Sequence, residues 1–385
     1  MSAVPMELVA RGESRSFTSD NTAGGAPEIM AAVAAAASGQ APPYGTDSWT
    51  LSARRRFSEI FDCDVDVLPV STGSAANALS LAALTPPWGS VLCHRDSHIN
   101  NDECGAPEFF TGGAKLVALG GENAKIDADE LQAAVHRKVG DVHSVQPSVL
   151  SLTQATETGA VYTPAEIGHL ACIAKHAGLR VHMDGARLAN AVAALGCNPA
   201  ELTWRAGVDM LSFGAIKNGS ITADAIVVFD RSVTTELSFR VKRAGQLASK
   251  MRFLAAPWIG MLDSGAWLRN ARHANAMTAR LEAGLRSIPG TVVAGAPEAN
   301  ILFCRLPQRI IDALLDQGYD FYHGRWEPGV VRFVTSFATS ARDVEDLVRA
   351  VRRLTAIEES RAERVRTQRS TNGRRSEVAC IGRVR

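Results

Sequence analysis

The sequence predicts an α/β fold with a mainly parallel central sheet, followed by a smaller α+β unit. Between about residues 50 and 230, apolar strand-like runs alternate with helix-like segments. From 234 to about 288 the pattern is helical, and short strands and helices alternate after that. Strand–helix alternation places a helix between successive strands, which is how neighbouring strands become parallel.

Seven short apolar runs form the predicted sheet: 65–70, 90–93, 116–119, 148–152, 179–183, 210–213 and 225–229. Helix-like segments between them are 75–84, 128–138, 164–177 and 187–195. The third has a clear start, because Thr163 can cap it, Pro164 suits its first position and Glu166 completes a capping box.

The same pattern divides the chain into five segments. An N-terminal arm and helix (1–48) precede the large α/β domain (49–250), and a helical bridge (251–290) leads to the small α+β domain (291–357). The last segment, 358–385, is rich in arginine and poor in large apolar residues. So few apolar groups cannot offset the entropy of ordering, so we expect this tail to be disordered.

Composition narrows the class of protein. The net charge is +1 over 385 residues, which gives no reason to expect a nucleic-acid or membrane partner. The seven cysteines are scattered, as is typical of reduced thiols in the cytosol. The longest apolar run, 29–37, is too short to span a bilayer. We therefore expect a cytoplasmic enzyme or binding protein.

Lys217 stands in a glycine-containing turn directly after an apolar strand. Ligands of open parallel sheets collect at the carboxyl ends of the strands, so this lysine is expected at a binding site. A lysine in a partly dry setting loses some of its preference for charge and can form a Schiff base. The segment alone leaves open that Lys217 is an ordinary surface lysine.

The segment 182–187 follows another apolar strand and brings Asp184 and Arg187 to the same edge. A carboxylate there can hold a protonated ring nitrogen, and a planar guanidinium suits a carboxylate bound in a fork. Metal binding by His182 and Asp184 would lack a third ligand at diagnostic spacing, so we expect no metal.

Residues 69–77 read as a strand, a turn of small residues and an alanine-rich helix. Free N–H groups and the helix dipole at such a turn bind anions. The turn carries neither of the two glycine patterns that bind nucleotides and dinucleotides, so one small phosphate fits Gly73 and Ser74 better.

Two other places are unexpectedly polar: the loop 94–103, which follows a predicted strand, and Arg332, which lies inside one. A buried arginine needs an anion, either a structural partner or a bound carboxylate.

Together these residues predict a site for pyridoxal 5'-phosphate (PLP). Lys217 supplies the amine, Asp184 the partner of the ring nitrogen, and the turn at Gly73 the phosphate cradle. Arg187 and Arg332 suit a substrate carboxylate. All of them fall at strand ends or inside apolar strands, where a shared site can form.

The chain resembles the threonine aldolases of the fold-type I (aspartate-aminotransferase-like) superfamily of PLP enzymes. The landmarks run in the family's order from 17 to 355, the most specific being H-x-D-G-A-R at 182–187 and S-x-x-x-x-K at 212–217. The stretches 44–49 and 88–110 resemble a bacterial low-specificity branch that includes enzymes acting on phenylserine. The other landmarks are 19–21, 44–47, 71–77, 97–99 with Glu103, and Arg332.

The resemblance implies roles for the cofactor-binding residues. Lys217 would form the Schiff base, Asp184 would hold the pyridine nitrogen and His98 would stack on the ring. The phosphate would be held by Gly73 and Ser74, with Ser212. Arg187 would lie beside the cofactor as well as the substrate.

The resemblance also implies the substrate contacts. Ser19, Arg187 and Arg332 would hold the substrate carboxylate, and His143 would lie near its hydroxyl. We expect His98 or His143, directly or through water, to take the hydroxyl proton, because a histidine pKa is close to working pH. Replacing each by Asn is then expected to lower turnover while cofactor binding persists.

The implied activity is that of a lyase. It would cleave L-threonine, L-allo-threonine and phenylserine-like L-β-hydroxy-α-amino acids to glycine and an aldehyde. The implied assembly is a homotetramer of paired dimers, in which Arg243 or Arg252 contributes to a phosphate site across a subunit interface.

One segment departs from the family. Many threonine aldolases have an E-N-T-x-N-like segment where this chain has Leu-Thr-Gln-Ala-Thr-Glu-Thr-Gly at 152–159. Three alternatives remain open: a β-eliminating lyase or dehydratase of the same fold, an aminotransferase, and an interaction protein without cofactor. Products separate the enzymes, and a colourless protein with no borohydride-labelled lysine would indicate the last.

Overall fold

The computed structural model describes residues 15–381. The seven predicted strands are all present, with ends within two residues of those predicted, and they form one sheet of order β1-β7-β6-β5-β4-β2-β3. The strands are β1 (Asp66–Val70), β2 (Gly89–His94), β3 (Lys115–Leu119), β4 (Gln146–Thr153), β5 (Arg180–Gly185), β6 (Met210–Phe213) and β7 (Asp224–Val228).

The sheet is mainly parallel. Strands β3, β2, β4, β5 and β6 run the same way, and only β7 is antiparallel to both of its neighbours. Strands β2, β6 and β7 are buried along their whole length and β5 is buried except at Arg180, which agrees with the helices that cover the sheet. The carboxyl ends of β2, β4, β5 and β6 therefore meet at one edge.

Within the described residues, the large domain and its N-terminal segment contain nine helices: α1 (Pro27–Ala36), α2 (Ser48–Ile60), α3 (Gly73–Leu84), α4 (His98–Asn101), α5 (Ala106–Thr111), α6 (Ala128–Val135), α7 (Pro164–His176), α8 (Leu188–Leu195) and α9 (Thr234–Arg243). The predicted capping box at Thr163 and Glu166 is formed. Helix α3 is largely buried and packs on β5, β6 and β7, so its N-terminus reaches the carboxyl edge.

Helices α10 (Arg252–Asp263) and α11 (Ala266–Arg286) occupy the predicted bridge. Helix α10 packs on α1 and α2, whereas α11 contacts α8 of the large domain. Asn190 and Asn275 exchange hydrogen bonds of 2.9 Å across that second contact. The other end of α11 packs in the small domain, so this helix joins the two units.

The small domain is an antiparallel sheet of order β10-β11-β9-β8 with two helices, as the sequence predicts for an α+β unit. Residues near the N-terminus complete it, because Phe17 N–H donates to Asp320 O at 2.7 Å and Phe17 O accepts from Val334 N–H at 2.8 Å. Its elements are β8 (Val292–Val293), β9 (Ile301–Arg305), β10 (Tyr322–His323), β11 (Val330–Val334), α12 (Gln308–Asp316) and α13 (Ala341–Ile381).

Helix α13 continues to Ile381, past residue 358, from which the sequence predicts a disordered tail; that expectation stays a prediction, and its last residues, 382–385, lie outside the described part of the chain. Arginine, glutamate and alanine are good helix formers, so a helix nucleated by packing in the small domain can extend past the last core residue. Glu358 supports the extension by pairing with Arg361 at 3.0 Å and Arg309 at 3.3 Å. Among residues 15–381, none of the helices has the length and apolarity needed to cross a membrane.

Candidate active site

A cavity of about 330 Å³ lies at the carboxyl edge of the large sheet. The N-terminus of α3 and the turns after β2, β4, β5 and β6 form its walls. The structure thus brings together residues that lie far apart in the chain. Of the residues predicted for the cofactor and substrate, those lining the cavity are Gly73, Ser74, His98, Asp184, Arg187, Ser212 and Lys217.

Lys217 lies in a single 3-10 turn after β6 (Ile216–Asn218). Asp224 fixes this turn, since its Oδ1 accepts the N–H groups of Ala215 at 2.7 Å and Ile216 at 3.1 Å. Within residues 15–381 the Lys217 amine makes no hydrogen bond or ion pair. The backbone is therefore fixed while the amine remains free to react.

Asp184 ends β5 and is 3% exposed. Its Oδ2 accepts from Asn77 Nδ2 at 3.0 Å and its Oδ1 from Ala186 N–H at 3.0 Å. No cationic side chain in the described part of the chain pairs with this carboxylate. A buried carboxylate without a cation is costly, so a protonated ring nitrogen would complete the site.

His98 begins α4 and is tied to Glu103, with 2.8 Å between His98 Nδ1 and Glu103 Oε1. The same Oε1 accepts from Asn77 Nδ2 at 2.8 Å, so Asn77 links the histidine pair to Asp184. The bond to Glu103 raises the pKa of His98, and burial raises the pKa of Glu103. Both pKa shifts favour a proton on the pair. The hydrogen bond between His98 and Glu103 fixes the orientation of the imidazole.

Ser212 lies beside Asp184 in the register of β5 and β6. Its hydroxyl is 3.0 Å from His182 Nε2, and His182 Nδ1 is 2.9 Å from Ser151 Oγ. Burial lowers the pKa of His182 to about 4, so this histidine is a neutral support between two hydroxyls. Ser212 is consequently placed at the Asp184 side of the cavity.

Gly73 and Ser74 form the first turn of α3, which Thr72 caps through its Oγ1 and the N–H of Ala75 at 3.1 Å. The first N–H groups of a helix have no acceptor within it and carry the positive end of the dipole. A Cβ on Gly73 would lie 3.1 Å from Asp224 Oδ2, so the turn leaves little room for a side chain there. The residues fit a bound phosphate.

Arg187 was predicted to bind a substrate carboxylate, but it already has a carboxylate partner. Its Nε and Nη2 donate to Asp20 at 2.8 and 3.0 Å, and Asn300 Nδ2 adds a third bond to Asp20 at 2.9 Å. Burial opposes the charge on Asp20, yet Arg187 holds the pKa of Asp20 below its usual value. Ser19 accepts the N–H of Asn21 at 3.1 Å and shapes this turn without lining the cavity.

Arg332 lies on β11, and its guanidinium stacks on Tyr322 (4.6 Å to the ring centroid) and on Trp326 (5.8 Å). Its buried Nε has no hydrogen-bond partner in residues 15–381. Burial, and then the charge of Arg187, lower the pKa of Arg332. An unpaired, half-buried cation near Arg187 fits an incoming carboxylate.

The structure does not bring His143 to this cavity. His143 precedes β4, whereas the cavity lies after the carboxyl end of that strand, so the eight residues of β4 separate the two. Its side chain lines a different cleft, together with Lys115 and Arg137. Arg243 ends α9 and Arg252 begins α10, and neither lines the cavity.

Sequence reasoning missed three carboxylates. Asp20 belongs to the landmark 19–21, but its pairing with Arg187 spans 167 positions and leaves no local signal. Asp224 could have been noticed as a charged residue opening an apolar strand. Glu157 lines the cavity from the segment that departs from the family pattern, so no landmark pointed to it.

Comparison with known proteins identifies the family of the chain. Residues 16–306 match the model of the family described as "Beta-eliminating lyase". The chain is 43% identical to the low specificity L-threonine aldolase of Pseudomonas sp. (strain NCIMB 10558), over 88% of this chain and 98% of that one. It is 45% identical to the enzyme of the same name from Pseudomonas aeruginosa, over 87% and 96%.

A solved structure of Leishmania major threonine aldolase superposes with a TM-score of 0.82 at 28% identity, covering 88% of this chain and 99% of that one. Mouse CSAD, at 14% identity and a TM-score of 0.71, shares the fold. The chain therefore belongs to the β-eliminating lyase family, among its low-specificity L-threonine aldolases, and is a lyase with pyridoxal 5'-phosphate as its cofactor.

Proposed function

We propose that this enzyme cleaves L-threonine, L-allo-threonine and L-phenylserine to glycine and the corresponding aldehyde. One observation carries the proposal: among the described residues, a single cavity is lined by an unpaired lysine amine, Lys217, and by a buried carboxylate without a cation, Asp184. An unpaired arginine, Arg332, lies within electrostatic range of Arg187 in the wall of that cavity. A PLP-bound amino acid would give each group a partner: the cofactor aldehyde for Lys217, the protonated ring nitrogen for Asp184 and the substrate carboxylate for Arg332.

The residues present fit the cofactor. Lys217 would hold it covalently, Asp184 would keep its ring nitrogen protonated, and Gly73 and Ser74 would hold its phosphate at the start of α3. When bound, PLP supplies an electron sink for the charge left at Cα when the Cα–Cβ bond breaks. His98 would stack on the ring, held by Glu103.

The protein contributes charged side chains that are held in fixed positions around the cofactor and the substrate. Asn77 joins Asp184 to Glu103, so the ring-nitrogen partner and the stacking histidine keep one geometry. Arg332 would bind the substrate carboxylate, with Ser19 and Arg187 supporting the same end of the site. The pair with Asp20 uses one N–H of Nε and one of Nη2 of Arg187, so the two N–H groups of Nη1 and the second N–H of Nη2 remain as donors.

A β-eliminating lyase of the same fold is the second candidate, favoured by the description of the matching family. It would use Lys217 and Asp184 in the same way but release ammonia and a keto acid. The test is to incubate the purified enzyme with the three amino acids and measure glycine, ammonia and keto acid. Glycine without ammonia supports aldol cleavage, and the reverse supports elimination.

We propose further that the enzyme works as a cytoplasmic homotetramer, with Arg243 or Arg252 completing a phosphate site of a neighbouring copy. Large apolar side chains on the surface support an assembly: Trp88 is 67% exposed, Phe109 78% and Phe239 74%. Six unpaired cysteines among the described residues suit a reducing compartment. Light scattering on the purified protein tests the tetramer.

A further inference from the structure

One carboxylate of the catalytic cavity has no partner. Glu157 is half-buried and lines the same cavity as Lys217 and His98. Within residues 15–381 it makes no side-chain hydrogen bond or ion pair. The cavity's other carboxylates are all engaged: Glu103 by His98 and Asn77, Asp184 by Asn77 and Ala186, and Asp224 by Ala215 and Ile216.

The turn that carries Glu157 is held firmly. The side chain of Gln154, buried at the end of β4, bonds the backbone of Tyr162 twice, at 2.8 and 3.1 Å. Thr156 Oγ1 donates to Asn123 O at 2.9 Å. Glu157 is therefore presented to the cavity by a fixed backbone, as a group that acts on substrate requires.

Glu157 lies within electrostatic range of three groups from different elements. They are His98 of α4, Arg187 after β5 and Arg332 on β11. His98 would face the cofactor ring, and the arginines would face the substrate carboxylate. With substrate held in this way, the carboxylate of Glu157 would lie near its β-carbon.

His98 is poorly suited to take a proton there. Its Nδ1 is committed to Glu103, and the bond raises the pKa of His98, so the imidazole is protonated over more of the neutral range. A protonated imidazole cannot act as a base. Among the described carboxylates that line the cavity, Glu157 is the one that remains free to do so.

We propose that Glu157 is the catalytic base that accepts the proton of the substrate's β-hydroxyl. The O–H bond breaks, its electron pair becomes the second C–O bond of the aldehyde, and the pair of the Cα–Cβ bond stays at Cα. A proton added at Cα then gives glycine, so the step needs no oxidant or co-reactant. The proposal rests on the aldol activity proposed above.

The test compares wild-type holoenzyme with Glu157→Gln, which keeps the size of the side chain and removes the basic oxygen. We expect cleavage of L-threonine to fall at least about 100-fold, as for loss of a general base. Glycine has no β-hydroxyl, so its affinity, measured from the absorbance change of the bound cofactor, is expected to stay within about threefold. The acidic limb of the kcat/KM profile should disappear in the variant.

Glu298→Gln is the matched control. Glu298 accepts the N–H of Val161, at the end of the turn that carries Glu157, at 2.9 Å. It does not line the cavity, and a glutamine in its place keeps an acceptor oxygen. The Glu298→Gln enzyme should keep wild-type turnover and the acidic limb of its kcat/KM profile. The charged groups that face Glu157, namely His98, Arg187 and Arg332, are unchanged in both variants.

Two results would overturn the proposal. One is a Glu157→Gln enzyme with turnover within fivefold of wild type and its acidic limb intact. The other is a loss of turnover matched by an equal loss of glycine affinity, which would indicate a structural role. A wild-type enzyme that releases no glycine from any of the three amino acids would instead refute the proposed function, and this proposal with it.

Discussion

Arg187 and Asp20 form a buried, doubly hydrogen-bonded ion pair, with 2.8 Å from Nε to Oδ2 and 3.0 Å from Nη2 to Oδ1. Arg187 follows β5 of the large domain, whereas Asp20 follows the segment that joins the small domain at Phe17. The pair therefore connects the cofactor cavity to the N-terminal segment of the chain.

Replacing Asp20 by Asn is expected to destabilise the enzyme by about 3–5 kcal/mol, because it leaves a buried guanidinium without its counter-charge. Urea unfolding measures this change. Glu28→Gln is the control, since the pair of Glu28 with Arg269 is exposed and such pairs contribute about 0–1 kcal/mol. Equal losses of unfolding free energy in the two variants would contradict the claim that burial makes the Asp20–Arg187 pair the more stabilising one.

The same pair predicts a dependence of stability on pH. The folded pKa of Asp20 lies below its unfolded value of about 3.9, so its contribution is complete above that value. The contribution is lost as the pH falls through the folded pKa. The difference in unfolding free energy between wild type and Asp20→Asn should therefore shrink below about pH 4, and a constant difference would refute this.

Replacing Arg332 by Gln is expected to raise the KM for L-threonine about 10- to 150-fold, the effect of losing hydrogen bonds to a charged group. Steady-state kinetics measure it. Arg325→Gln is the control, because Arg325 is exposed and stacks on Tyr322 at 4.0 Å. Its KM should stay close to that of wild type, and an unchanged KM in Arg332→Gln would rule out Arg332 as the carboxylate site.

Replacing His98 and replacing His143 are expected to lower turnover by different amounts. His98→Asn is expected to lower turnover about 100-fold, because the imidazole would lie on the cofactor and hold it in position, while His143→Asn stays within about threefold. Turnover of the two purified variants decides this. A large loss in His143→Asn would mean that His143 reaches the active site of another copy of the chain.

Replacing Gly73 by Ala should weaken PLP binding about tenfold, because a Cβ would lie 3.1 Å from Asp224 Oδ2 at the phosphate turn. Titration of the apoenzyme, followed by absorbance, measures the affinity. Gly168→Ala on α7 is the control, since no atom lies within 4 Å of its Cβ position. Unchanged PLP affinity in Gly73→Ala would place the phosphate elsewhere.

The sheet and the cofactor side of the site could be predicted because local signals agree there. Apolar runs bounded by turn residues give the strands, and parallel strands bring Lys217 and Asp184 to one edge. Gly73 follows from the strand–turn–helix pattern. The sequence did not predict that α13 continues past residue 358, because composition does not show that the helix is already nucleated by packing upstream.

The substrate side could be predicted only in part, because it depends on long-range contacts. Nothing local in the sequence pairs Asp20 with Arg187, and the loop of His143 gives no indication that it opens on the opposite edge of the sheet. Glu157 lies in the segment that departs from the pattern of many threonine aldolases, so resemblance could not identify it.

The most direct test of the central claim is the product balance from L-threonine with the wild-type holoenzyme and with Lys217→Ala. We predict equal amounts of glycine and acetaldehyde, no ammonia, and the loss of both products in the variant. Ammonia and 2-oxobutanoate from the wild type, or undiminished cleavage by Lys217→Ala, would contradict the account.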